Sequence, residues 1–138
     1  EHEPRFPFGH GLTYSEFRYS HIRAIRRDDG GLEVNATVEN TGSWTAIDTP
    51  QLYICWPGQS AVRPRQSLRG FSRLRLAPGE KAETTFRVAP RDLAWFDPDA
   101  RTWRIESGHH KIKVACSARD TASLETILDF EKEIDLGI

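Results

Sequence analysis

Leu32-Glu33-Val34-Asn35-Ala36-Thr37-Val38-Glu39, followed by Asn40-Thr41-Gly42, is the stretch on which the fold turns. Its apolar residues, Leu32, Val34, Ala36 and Val38, fall on every second position. In an extended chain that period puts them on one face and Glu33, Asn35, Thr37 and Glu39 on the other. Asp28-Asp29-Gly30-Gly31 before the stretch and Asn40-Thr41-Gly42 after it are turn signals. The spacing predicts a half-buried β-strand between two turns.

The same grammar repeats on both sides. Phe17-Arg18-Tyr19-Ser20 alternates briefly. Residues 51–56 form a further strand, with Pro50 at its start and Pro57-Gly58 closing it. Residues 68–76 hold another, ended by Ala77-Pro78-Gly79-Glu80, where Pro and Gly suit a tight turn. Ala82, Thr84, Phe86 and Val88 alternate with charged or polar neighbours, as do His110, Ile112, Val114 and Cys116. Residues 102–106 and 124–134 complete the set. No segment carries a sustained 3.6-residue apolar stripe. Short strands separated by turn signals predict an all-β sandwich or barrel.

The 138 residues amount to one domain. We divide them into an irregular leading segment or linker over 1–15 and the β domain over 16–138. The net charge of −1 does not suit a domain that holds nucleic acid electrostatically. No apolar run approaches the ~20 residues of a membrane-spanning helix. Neither nucleic acid nor membrane is therefore expected as a partner. A chain without methionine, even at position 1, is expected to be a piece of a longer protein.

Residues 4–14 stand apart. Pro4, Pro7, Gly9 and Gly11 prevent regular structure, yet Phe6, Phe8, Leu12 and Tyr14 ride on that backbone. Linkers are ordinarily polar. A segment this aromatic should lie against a surface, as a strap between domains. Phe6, Phe8, His10, Leu12 and Tyr14 are the candidate interdomain contacts. Arg69 joins them from a run that also holds Arg63, Arg65, Arg73 and Arg75. That run reads either as a solvated strand face or as an interface to an acidic domain. Asp129, Glu131, Glu133 and Asp135 form the opposite, acidic run.

Signals for catalysis are missing. There is no nucleophile elbow, HExxH, P-loop or dinucleotide fingerprint. Asp97-Pro98-Asp99, near Trp95 and Trp103, resembles a carboxylate pair but reads better as a turn. Cys55 and Cys116 form no CxxC, and adjacent His109 and His110 would point to opposite faces of a strand. No catalytic residue, metal site or cofactor is assigned. Trp44, in a loop, and Trp56 are the candidate sugar-stacking rings, although a tryptophan in a sandwich more often packs. Asn35-Ala36-Thr37 matches the glycosylation sequon.

Several segments together resemble a known module. Phe6-Pro7-Phe8-Gly9-His10-Gly11-Leu12-Thr13-Tyr14 is similar to the stretch leading into the C-terminal fibronectin type III-like domain of family 3 glycoside hydrolases, the β-glucosidase and β-xylosidase family. Val38-Glu39-Asn40-Thr41-Gly42 resembles that domain's second strand and turn, and Gln51-Leu52-Tyr53-Ile54 its third strand. Leu68-Arg69-Gly70-Phe71 and Leu76-Ala77-Pro78-Gly79-Glu80 resemble its paired LxGF and LxPGE patterns. Asp92-Leu93, Trp103 and Gly108 fall where the family places the same residues. Departures are His110 in place of a tyrosine, Val114-Ala115-Cys116-Ser117 in place of Val-Gly-Ser-Ser, and the polar approach Ile47-Asp48-Thr49-Pro50.

The resemblance implies a fibronectin type III-like β-sandwich of about seven strands with Greek-key connections. It implies a non-catalytic accessory module that braces the catalytic domains of its parent glycoside hydrolase and contributes to substrate access. The catalytic residues would lie in upstream domains outside this chain, so the chain alone is expected to be no enzyme. The alternative is a stand-alone carbohydrate-binding or protein-adhesion sandwich, with a polysaccharide or oligosaccharide as partner. The implied fold puts Cys55 and Cys116 on neighbouring strands, with Cys116 facing the core and Cys55 facing away, so both are expected to be free thiols.

Overall fold

The computed structural model describes residues 5–58, 64–120 and 122–138. Pro4 and Arg63 lie outside the described residues. The strands are β1 (Phe17–Arg26), β2 (Leu32–Asn40), β3 (Ala46–Asp48), β4 (Gln51–Cys55), β5 (Ser67–Phe71), β6 (Leu74–Leu76), β7 (Lys81–Val88), β8 (Trp95–Asp97), β9 (Thr102–Ile105), β10 (Gly108–Ala115), β11 (Leu124–Phe130) and β12 (Ile134–Asp135). A single helical turn, α1 (Pro90–Leu93), follows β7. Seven strands make the two main sheets, in the orders β1-β2-β7 and β11-β10-β4-β5. The others form two small ribbons, β12-β9-β8 and β3-β6, so the twelve strands described exceed the expected seven. All strand pairings among the described residues are antiparallel. The chain changes sheet between β2 and β4, between β5 and β7, and between β7 and β10.

The alternation of β2 is realised residue by residue. Leu32, Val34, Ala36 and Val38 are buried, and the residues between them are half-buried. β2 is the middle strand of its sheet, so even its polar face is flanked on both sides. Across the sandwich Leu52, Ile54, Ile112 and Val114 meet Val34, Phe86 and Val88 in one apolar cluster. Gly70 on the edge strand lies against Phe86, where a Cβ would sit 3.1 Å from the ring.

Three strand boundaries differ from expectation. β1 runs ten residues because a bulge between Ser20 and Arg23 shifts its register. Tyr19, Ile22 and Ala24 all pack on the core, a spacing that hides the alternation. The segment 68–76 is two strands, broken where the Ser72 amide turns to the Pro50 carbonyl at 3.0 Å. The segment 124–134 ends its sheet pairing at Phe130, and β12 pairs instead with β9.

Asp97 forms the expected turn, its Oδ1 accepting from the amides of Asp99 (3.0 Å) and Ala100 (3.1 Å). His109 is exposed and His110 buried. His110 donates from Nδ1 to the Gly108 carbonyl at 3.3 Å and meets the Phe130 ring edge-on at 4.8 Å. Asn35 stays on the outer face, where its Oδ1 accepts from the Thr85 hydroxyl at 2.6 Å.

The expected placement of Cys116 is overturned: it is exposed, one residue beyond the end of β10. Both thiols are free. Cys55 pairs in register with Lys111, so Cys116 lies five residues further along the partner strand. At ~3.3 Å per residue that is roughly 16 Å, far beyond the ~7 Å limit on Cα separation. Separation along the strand, rather than opposite faces, keeps them apart.

Candidate functional site

Residues 5–16 are irregular; Phe8 and Gly9 lie on the outer face of the four-stranded sheet, and Ser15 and Glu16 reach the end of β2. The Phe8 carbonyl accepts from the Ala118 amide at 2.9 Å. Gly9, at φ 81°, sits directly on the Gln51 side chain, where a Cβ would come within 2.2 Å of Nε2. Only a glycine satisfies both the left-handed backbone and that approach.

Beneath the strap lies a polar layer. Gln51 donates to the Cys116 carbonyl (2.9 Å) and accepts from the Tyr53 hydroxyl. Lys113 (3.2 Å) and Gln66 (2.8 Å) donate to the Ala118 carbonyl. This covering explains why Gln51, Tyr53 and Lys113 are buried on the sheet's outer face.

A second anchor fixes the other end of the strap. Asn40 is fully buried. Its Oδ1 accepts from the Ser15 hydroxyl (2.6 Å) and the Gly42 amide (3.0 Å). Its Nδ2 donates to the Trp44 (2.7 Å) and Leu76 (2.9 Å) carbonyls. Gly42 lets this knot close, since a Cβ there would stand 2.1 Å from Ser15 Oγ.

The side chains of the strap point the other way. Phe6 is 63% exposed, Phe8 66%, Leu12 97% and Tyr14 95%. His10 is also exposed and stacks on Phe6 with ring centroids 5.0 Å apart. The backbone is pinned to the sandwich while its apolar groups face outward, the reverse of what burial within this domain requires.

Between strap and sandwich is a hollow of about 660 Å³, lined in part by Leu12, Tyr19, Ile47, Asp48 and Asp120. Tyr19 donates to Asp48 Oδ2 at 2.5 Å. Burial pushes the Asp48 carboxyl up and the Tyr19 phenol further above its ordinary range. Burial, reinforced by Asp120, pushes the Cys116 thiol up to about 11. A raised thiol is a poor nucleophile at neutral pH. No group of three or more potential metal ligands occurs among the described residues.

The remaining candidates do not join one site. Trp56 is half-buried, donates to the Leu93 carbonyl at 2.9 Å and carries the Arg69 guanidinium 5.4 Å from its ring centroid. Trp44 is 68% exposed and stands near Asn40, at the strap end. Trp56 follows the far end of β4, so the two rings do not form one platform.

Sequence reasoning did not single out Gln51, Tyr53 or Lys113, and it read Asn40 only as part of a turn. The available signal was the mixture of Gln, Tyr and Lys opposite aliphatic residues on two central strands. It also missed Phe71, which is 71% exposed.

Two antiparallel sheets in the orders β1-β2-β7 and β11-β10-β4-β5, joined by sheet-changing connections, define an immunoglobulin-like sandwich. Residues 48–118 match the fibronectin type III-like domain family, and the chain belongs to it.

Its relatives are glycoside hydrolases. It is 40% identical over 122 residues to a β-glucosidase of Rhizobium radiobacter, covering 87% of this chain and 15% of that protein. A glycoside hydrolase family 3 (GH3) β-glucosidase from Bifidobacterium adolescentis superposes with TM-score 0.82 at 34% identity, covering 91% of this chain and 18% of the other. β-Glucosidase 3B from Thermotoga neapolitana, in complex with glucose, superposes with TM-score 0.88 at 31% identity, covering 99% and 19%. The chain thus spans less than a fifth of each of these proteins.

Proposed function

We propose that this chain is a non-catalytic accessory module of a family 3 glycoside hydrolase of the β-glucosidase type. It braces the catalytic domains through the strap at residues 5–16. The observation that carries this reading is the orientation of the strap. Phe6, Phe8, Leu12 and Tyr14 are held out from the sandwich by a backbone hydrogen-bonded to Ala118 and a serine knotted to Asn40. Each large apolar side chain left in water forgoes roughly 1.5–3 kcal/mol of burial. A partner that covers all four recovers that energy without first ordering the segment. Relatives about five to six times as long supply the class of partner, the other domains of the same polypeptide.

The test compares the isolated chain with the complete gene product that contains it. Aryl-glucosides and aryl-xylosides should be hydrolysed by the complete product and left intact by the purified chain. Replacing Phe6, Phe8 and Leu12 together by serine should shorten the half-life of the complete product on heating while leaving the isolated chain's unfolding midpoint unchanged. Turnover by the isolated chain, or an unchanged half-life, would refute the reading.

A further inference from the structure

The strap is not the whole of the outward-facing surface at this end of the sandwich. Phe71, the last residue of edge strand β5, pairs in register with Gln51, the residue on which Gly9 rests. Directly paired residues share a sheet face. The exposed Phe71 ring therefore stands on the face the strap crosses, beside it. Ile47, 43% exposed, lines the hollow together with Leu12 of the strap. Ile47 pairs with Arg75 across the β3-β6 ribbon, just past the break at Ser72.

The charges around this patch are unbalanced. On the β1-β2-β7 sheet, Arg18 and Lys81 reach Glu39 and Arg87 reaches Glu33, while Arg23 and Arg26 form no ion pair among the described residues. Arg65, Arg69, Arg73 and Arg75 form no ion pair among the described residues. The buried Nε of Arg69 has no hydrogen-bond acceptor among the described residues. Asp92 lines a hollow of about 240 Å³ with Arg69 and Phe71, yet makes no ion pair with that arginine. These four guanidiniums without an acidic partner lie along residues 65–75, which run into β5 and on through β6, in a chain whose net charge is −1. They suit a surface of opposite sign, with Arg and an aromatic ring as the usual anchors of such contacts.

We propose that Phe71, Ile47 and the flanking Arg73 and Arg75 form a second contact, continuous with the strap, for an acidic surface of another domain of the parent polypeptide. Phe71 seats in an apolar recess of that surface, and the arginines fix its register. This inference rests on the accessory-module reading and extends it from the strap to the segment that leaves β5 and enters β6.

Hydroxyl-radical footprinting reads the exposure of aromatic side chains directly and separates the two ideas. In the isolated chain, Phe8, Tyr14 and Phe71 should all be labelled. In the complete gene product, Phe71 should lose most of its labelling together with Phe8 and Tyr14. Protection of Phe8 and Tyr14 with Phe71 still labelled would leave the strap reading standing and overturn the second contact. Labelling of all three in the complete product would overturn both. Arg73→Glu combined with Arg75→Glu, in the complete product at low salt, should return labelling to Phe71 and leave Phe8 protected. Unchanged protection of Phe71 in that variant would overturn the assignment of an acidic partner surface. Both arginines are exposed, and the unfolding midpoint of the isolated double variant checks that the fold is intact.

Discussion

The Ser15 hydroxyl donates to Asn40 Oδ1 at 2.6 Å, joining two buried residues 25 positions apart. Through this bond the strap becomes part of the folded domain, because Asn40 also ends β2 and holds the Trp44 and Leu76 carbonyls. An aromatic segment that would otherwise be free is delivered in one orientation.

Asn40→Ala removes all four side-chain hydrogen bonds of a fully buried residue and leaves buried donors and acceptors without partners. We expect a loss of about 2–4 kcal/mol, measured by urea unfolding of the isolated chain. Ser15→Ala leaves Asn40 Oδ1 bonded to the Gly42 amide and should cost about 1 kcal/mol. Equal losses would show that the Asn40 knot is not where the stability lies.

Gly9→Ala introduces a Cβ that overlaps the Gln51 side chain at a backbone of φ 81°. The strap should lift locally, at a cost of about 1–3 kcal/mol. Amide exchange at Ala118, whose N–H bonds to the Phe8 carbonyl, reports this event. Exchange there should quicken while Val34 in the core keeps its protection. Unaltered exchange at Ala118 would mean the strap does not rest on Gln51.

The tryptophans should behave differently. Trp56→Phe loses the bond to the Leu93 carbonyl and weakens the stacking of Arg69, a destabilisation of about 1–2 kcal/mol. Trp44→Phe should lie within about 0.5 kcal/mol of the unmodified chain, because an exposed ring contributes little. Thermal unfolding of the two variants decides it, and the reverse order would contradict the packing described here.

The thiols give a pH prediction. Partial burial raises the folded pKa of Cys55, and the loss of water on one side of the otherwise exposed Cys116, with Asp120 beside it, raises that thiol to about 11. A raised thiol pKa favours the neutral form in the folded state. This contribution to stability is present in full below the unfolded pKa and is lost as pH rises through the folded value. Alkylation by iodoacetamide at pH 8 should thus be slower in the folded chain than in urea, and the gap should close as pH approaches 11. Two thiols should be counted in denaturant. Equal rates at pH 8 would show that the folded chain does not raise these thiols.

The alternation in β2, β7 and β10 made the sandwich legible, because a period of two has only one face to bury. The composition of residues 4–14 made the irregular leading segment legible, since prolines and glycines forbid regular structure. The β1 bulge was not legible: one extra residue breaks the period and looks like the end of a strand. Nor was the exposure of Cys116, since parity has meaning only while a strand continues, and β10 stops at Ala115.

What the sequence determined by itself is the all-β class, the turns and the presence of an aromatic leading segment, all of them carried by local periodicity and backbone preference. Only the tertiary structure decided which way the aromatic side chains face. That choice depends on contacts between residues far apart in the chain: Phe8 with Ala118, Gly9 with Gln51, Ser15 with Asn40. It also placed Phe71 beside the strap, through the register of β5 on β4. Register is set by the packing of a whole sheet face, which no short window of sequence contains.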